Sequence, residues 1–291
     1  MITRRTAVIA TASFIPLLRA AAANTWKNDR IRALEPRLAA VEARIGGRLG
    51  VGVLDTGDDA ILGYRADERF PMSVTCNVLT VASVLKRVDD GEEQPYRLVP
   101  LKASDLVQGS APVTTAHLAA GGMTVLDLCA AAIQCSDETA ANLLLRSVGG
   151  PPGVTRYVRS LGDTVTRLDR AGPGFDERAP VDGRGTTSPE AMVRDLRRIL
   201  LSRGLSPPQR LYIWGWMLDA KLGGKRLRAG FPSTWQIGDQ TGSGGHSTVA
   251  FLLPPRRSPL LAAIYMAETR APAAVRDAAH AEIGRIIVGT L

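Results

Sequence analysis

Strand-like patterning in this 291-residue chain is confined to its two ends, and that division limits the folds open to it. Near the start, 48–55 (RLGVGVLD) and 61–64 run apolar or alternate around Thr56-Gly57-Asp58-Asp59, the pattern of a hairpin. Near the end, 235–238, 248–253 and 260–266 carry the same signal. Between them, from Ser73 to about Leu218, apolar residues recur at helical spacing in 74–88, 125–135, 137–148, 154–161, 189–201 and 207–218. Further helices are predicted over 29–45, closed by Gly46-Gly47, and over 272–287. One sheet therefore has to gather strands from both chain ends, while the intervening helices form a second body with a cleft between the two. The expected fold is α/β plus all-α: an antiparallel sheet flanked by terminal helices (24–67 and 220–291) beside a central helical domain (68–219). A stretch rich in Gly, Pro and Asp, 167–187, interrupts the helical part. Loops of that length are uncommon and often functional.

With 45% hydrophobic and 22% charged residues the chain can bury a substantial core, as one large domain or two joined ones. The net charge of +8 comes mostly from scattered arginines, without the basic stripe or stacking aromatics of a nucleic-acid binder, so no nucleic-acid partner is expected. Met1-Ile2-Thr3-Arg4-Arg5, an apolar run over 7–18, Arg19 and alanines at 20–23 read as an export signal, with the mature chain starting near Asn24. The Arg4-Arg5 pair suits twin-arginine export, and an ordinary secretory signal is the alternative. The apolar run is too short to cross a bilayer and nothing later reaches the roughly 20 apolar residues required, so the expectation is a periplasmic or secreted protein without a membrane partner. Cys76, Cys129 and Cys135 permit at most one disulfide, and His117, His246 and His280 are widely spaced. No metal or other cofactor, and a monomer, are expected.

Four motifs carry chemical information: Phe70-Pro71-Met72, Ser136-Asp137-Glu138-Thr139-Ala140-Ala141-Asn142, Arg167-Leu168-Asp169-Arg170 and Asp239-Gln240-Thr241-Gly242-Ser243-Gly244. In order and spacing they resemble the class A serine β-lactamases, and the resemblance spans most of the mature chain. It implies the penicillin-recognising fold and acyl transfer, in which a serine at a helix N-terminus attacks a strained lactam and a water removes the acyl group with help from a general base.

Residue by residue, the resemblance also shows departures. The family motif F-P-M-x-S-x-x-K places Val74 where the nucleophile is expected and Asn77 where a lysine is expected. Ser73 is one residue early, turned about 100° around a helix axis, and is expected to act as an N-cap. Ser136 matches the serine that relays a proton to the lactam nitrogen, Asp137 is expected to hold loop amides, and Glu138 replaces an asparagine, exchanging a donor for an acceptor. In the long loop Gly172 stands in the place of the general-base glutamate, and Asp176 falls where an asparagine also touches the water. Gly185 stands where the loop-closing aspartate would pair with Arg170, so loss of that clamp is expected. Gln240 replaces a lysine, whereas Arg226, Thr241, Gly242 and Ser243 match groups around the β-lactam carboxylate.

These substitutions replace two lysines and a glutamate by neutral residues and add Glu138, reversing the sign of the expected pocket. The expectation is a member of the class A β-lactamase family whose β-lactam hydrolysis is absent or very weak, with a β-lactam or related small molecule bound weakly if at all. Two other readings stay open: a feeble hydrolase using Ser136 or Ser73 with Asp176 or Glu138 as base, and a module that binds β-lactams or cell-wall peptides through Thr241, Ser243 and Arg226.

Overall fold

The computed structural model describes residues 34–169 and 183–290. The export signal, Arg170, Gly172 and Asp176 lie outside the described residues. After a helix over 34–45 (α1), the hairpin forms as expected from β1 (Arg48–Asp55) and β2 (Ile61–Tyr64). Its turn is held by short polar side chains: Asp55 Oδ1 accepts from Gly57 N at 3.0 Å and Asp58 Oδ1 from Ala60 N at 2.9 Å. The late strands β7 (Gln236–Thr241), β8 (Ser247–Leu253) and β9 (Leu260–Ala267) join β1 and β2 in one antiparallel five-stranded sheet, ordered β2-β1-β9-β8-β7. A final helix, α9 (Ala273–Val288), closes the chain.

Alternation along the strands assigns the two faces. Leu49, Val51, Val53, Ala262, Ile264 and Met266 pack against the terminal helices, whereas Leu54, Leu261, Ala263 and Tyr265 face the central ones. Between the sheet strands run α2 (Cys76–Asp89), α3 (Pro112–Ala116), α4 (Val125–Gln134), α5 (Glu138–Ser147), α6 (Pro151–Ser160), α7 (Pro189–Leu201) and α8 (Pro207–Leu218). Gly52 lets α7 lie close on the sheet, since a Cβ there would meet the Pro189 carbonyl at 2.9 Å. Thr124, Asp137 and Ser188 cap α4, α5 and α7 with side-chain oxygens.

Several elements differ from the sequence reading. The short pairs β3 (Phe70–Pro71) with β6 (Thr186–Thr187) and β4 (Leu98–Pro100) with β5 (Gly122–Thr124), and helix α3, carry no periodic signal long enough to read. The end of the 167–187 stretch is thus paired to the segment leading into α2, and Arg167 N also bonds Thr186 O at 2.9 Å. All three cysteines are free thiols. No described helix is long and apolar enough to cross a membrane.

Candidate active site

The cleft, with a volume of about 280 Å³, opens between the start of α2, the start of α5 and the turn joining β7 to β8. Its wall at α2 begins with a 3-10 turn, Ser73–Thr75, that runs into the helix. Ser73 is not the cap that its sequence position suggests: Met72 holds the N-cap position without a side-chain bond, and Ser73 has φ +49°. A serine in the left-handed region costs energy that only surrounding structure can offset. Here Met72 N donates to Gly185 O at 3.1 Å, and Thr75 Oγ1 donates to Met72 O at 2.7 Å, fixing the chain on both sides. The bend turns Val74 across the cleft toward β7, where a Cβ on Gly242 would lie 2.6 Å from Val74 Cγ2. Only a glycine leaves that contact unstrained.

One helical turn beyond Ser73, Asn77 is buried, and its Nδ2 donates to Ala132 O at 3.4 Å on α4. Cys76, also on the cleft wall, has its thiol pushed up to about 12, by burial first and by the charge of Glu138 to a lesser degree, which keeps it protonated at neutral pH.

Opposite, Ser136 (φ +50°) donates its hydroxyl to Thr241 O at 2.9 Å and accepts from Gln240 Nε2 at 3.3 Å. Gln240 is fully buried. Asp137 holds main-chain amides, though those of helix starts and not of a loop: its carboxylate accepts from Val113 N, Thr114 N and Thr114 Oγ1 at the start of α3 and from Ala140 N in the first turn of α5, at 2.8–3.1 Å. Glu138 follows at the first position of α5 and faces the cleft. Among the described residues, no lysine or arginine lines the cavity.

The β7–β8 turn is braced from behind. Arg226, 6% exposed, donates from Nε to Asp277 Oδ1 at 2.7 Å, from Nη1 to Thr241 Oγ1 at 3.0 Å and to Gly242 O, and from Nη2 to Ser243 O at 2.7 Å. Four of its five N–H donors are thereby directed at protein atoms. Thr241 Oγ1 in turn donates to Ser247 O and accepts from Thr248 Oγ1. His280 Nε2 lies 3.1 Å from Gly245 O, and burial lowers its pKa to about 4, so it is neutral at pH 7. Asp277 carries no signal in the sequence reading, and His280 enters it only among the three histidines weighed for a metal site. α9 also carries Arg276, Glu282 and Arg285, so no local pattern marks these two residues.

Thus Val74, Asn77, Ser136, Glu138, Gln240, Thr241, Gly242, Ser243 and Arg226 converge on one cleft or its immediate backing. The Arg170 clamp lies outside the described residues, but the base of its loop is tied by Asp169 Oδ2, which accepts from Gly185 N at 2.8 Å. A model of the Beta-lactamase enzyme family matches residues 33–291. Beta-lactamase OXY-1 of Klebsiella oxytoca is 39% identical over 287 residues, covering 98% of this chain and 97% of that relative.

The chain belongs to the class A β-lactamase family.

Beta-lactamase OXY-2 of Klebsiella oxytoca is 38% identical over the same length. Among solved structures, an ancestral (GNCA) class A β-lactamase superposes with a TM-score of 0.85 at 48% identity, covering 89% of this chain and 100% of that one. A β-lactamase from Xanthomonas campestris gives 0.83 at 42% identity, covering 90% and 97%. The class A fold therefore extends through the described chain.

Proposed function

We propose that this class A β-lactamase family member is an exported protein that has the family's cleft and not its acyl-transfer chemistry. The observation that carries the reading is Val74: the side chain that meets Gly242 across the cleft is a pair of methyl groups, with neither a hydroxyl nor a lone pair to attack a lactam carbonyl. One turn on, Asn77 offers an amide, and Gln240 offers another where the resemblance leads one to expect a cation. Loss of the nucleophile alone costs on the order of 10⁶ in turnover in a triad enzyme, about 8 kcal/mol, and removal of its partners adds little further because they act as a unit.

The alternative of Ser136 as a substitute nucleophile has little geometric support. The Ser136 hydroxyl donates to a main-chain carbonyl and accepts from an amide, so neither neighbour is a base able to take its proton. Binding of a β-lactam carboxylate by Arg226 competes with the four bonds through which that guanidinium braces the turn. Export rests on the 1–23 signal, and the two-part division at 67/68 and 219/220 follows the strand and helix pattern.

Intact-mass analysis after incubation with benzylpenicillin tests the proposal. The expected spectrum is that of the unmodified chain, with no hydrolysis of penicillins, cephalosporins or carbapenems above background. A mass increase of one penicillin that disappears in Ser136→Ala or Ser73→Ala would overturn it.

A further inference from the structure

The face that α5 turns to the cleft is graded along its length. Glu138, Ala141, Asn142 and Leu145 line the cavity, a spacing that sets them in one row along the helix, with Glu138 at its first position and Leu145 about 10 Å further on. Val74 and Leu168 add apolar surface from other segments. A helix start ordinarily favours an anion, but here its donors are already engaged: Glu138 N donates to Ser110 O at 2.8 Å, Ala140 N to Asp137 Oδ1 at 2.9 Å and Ala141 N to Asp137 O at 3.0 Å. Two carboxylates, Asp137 and Glu138, already stand at that positive end of the helix. Arg226 lies behind the β7–β8 turn, 6% exposed and paired with Asp277 at 2.7 Å. Outside the described residues, 170–182 carries two arginines, Arg170 and Arg178, against Asp176, Glu177 and Asp182, so the sequence adds no net positive charge there. Ser247, 1% exposed on the cleft wall, has a hydroxyl without a hydrogen-bond partner among the described residues. An orphaned buried polar group costs free energy unless something bonds it, so this one points to a ligand.

We propose that the cleft binds a small organic cation: a primary ammonium group on the Glu138 carboxylate, carried by an apolar body that lies along α5 toward Leu145. This ligand class deepens the function proposed above and rests on it, since a cleft without acyl-transfer chemistry is a binding site whose lining sets what it takes. A carboxylate has about four lone-pair sites, so Glu138 accepts a ligand N–H in addition to its bonds within the protein. An ammonium brings three donors, whereas an anion brings none and adds a second negative charge to a half-enclosed space, where like charges repel more strongly than in water. The cavity of about 280 Å³ stands at the lower end of ligand pockets, roughly 300–1,000 Å³, and suits a body of one aromatic ring. Such a ligand is opposite in sign to the carboxylate that the family resemblance implies, because Asn77 and Gln240 stand where lysines are expected and Glu138 where an asparagine is.

Three ligands of one shape and three charges test it: phenethylamine, hydrocinnamamide and hydrocinnamate, titrated into the isotope-labelled mature chain at pH 7 and low ionic strength and followed by the amide resonances of Gly242, Gly244 and Gly245 on the cleft wall. The amine should bind in the millimolar range or tighter, the neutral amide at least ~3-fold more weakly and the carboxylate at least ~10-fold more weakly. Glu138→Gln, nearly equal in size, should bring amine and amide to within about twofold of each other. Glu138→Asn gives the same readout should the glutamine variant fail to fold. Leu145→Ala should weaken all three ligands in parallel and leave their order intact. Carboxylate binding as tight as the amine's, an amine preference that survives both Glu138 variants, or no shift at about 20 mM amine would overturn the proposal. The two readings fail separately: a penicillin adduct in the mass spectrum sinks the proposed function, whereas an unmodified chain that prefers the carboxylate sinks the cation site alone.

Discussion

Two sets of residues meet in the cleft, and they differ in what their bonds are directed at. Asp137, Arg226, Thr241 and Thr75 aim their polar atoms mainly at main-chain groups: the 113–114 amides, the 241–243 segment, the Ser247 carbonyl and the Met72 carbonyl. They set the shape of the cleft and hold Ser73 and Ser136 at positive φ, a strain that persists only where surroundings over-determine it. Val74, Asn77 and Gln240, at positions where the family resemblance leads one to expect reactive groups, instead settle on their neighbours: a glycine, a helix carbonyl and a serine hydroxyl. On the proposed reading, the groups that shape this cleft are separable from those that would carry its chemistry. Shape rests on many bonds to backbone, and chemistry on a few side chains that contribute little to those bonds.

If the separation holds, restoring the few should be enough. Val74→Ser, Asn77→Lys and Gly172→Glu together, with Glu138→Asn and Gln240→Lys added in a second step, are expected to raise hydrolysis of a chromogenic cephalosporin at least ~10³-fold over wild type, a fraction of the on-the-order-of-10⁶ factor that an intact catalytic unit supplies. A folded multiple variant with wild-type background activity would break the comparison, because the frame would then lack more than side-chain chemistry.

The frame has its own signature in pH. His280 behind the β7–β8 turn has its pKa lowered from 6.5 to about 4 by burial, with the Arg226 charge acting in the same direction and its bond to Gly245 O against it. Between those values the unfolded chain takes up a proton that the folded chain refuses, so this residue's contribution to stability falls as pH drops from about 6.5 to about 4, by up to about 3 kcal/mol. His280→Gln keeps a donor within reach of the Gly245 carbonyl and removes the titration. Thermal melts at pH 7 and pH 4.5 should show a smaller acid-induced drop in Tm for the variant than for the wild type. Equal drops would mean that the histidine is not sealed behind the turn.

How far the sequence speaks for the fold depends on what a residue's burial is coupled to. Strands of apolar alternation, such as 48–55 and 260–267, announce themselves because side-chain hydrophobicity drives their burial. β7 reads as ending at Gly238 because Asp239, Gln240 and Thr241 are polar, yet all three are buried, with Arg228 2.5 Å from Asp239, and with Ser136 and Arg226 bonded to the other two. Their burial follows from partners more than ten residues away in sequence, which no local pattern reports. The same holds for the positive φ of Ser73 and Ser136, since neither residue is a glycine or an asparagine that would flag it. The motif positions of the candidate site were legible because they keep order and spacing, while its backing by Asp277 and His280 was not, since their roles exist only once α9 lies behind the turn.

The smallest expected effect bears on the contact where shape and chemistry touch. Adding a methyl at Gly242 would place it 2.6 and 2.9 Å from the two methyls of Val74 and farther from everything else nearby. Gly242→Ala should therefore destabilise the protein by about 1–3 kcal/mol through overpacking. In a Val74→Ser background, where the branched side chain is gone, the same change should cost at least ~0.5 kcal/mol less, which is the coupling expected of residues in direct contact. Urea denaturation of the four proteins in the cycle measures it. An additive cycle would mean that Val74 points away from β7, and the proposal that this cleft lacks acyl-transfer chemistry would lose the observation that carries it.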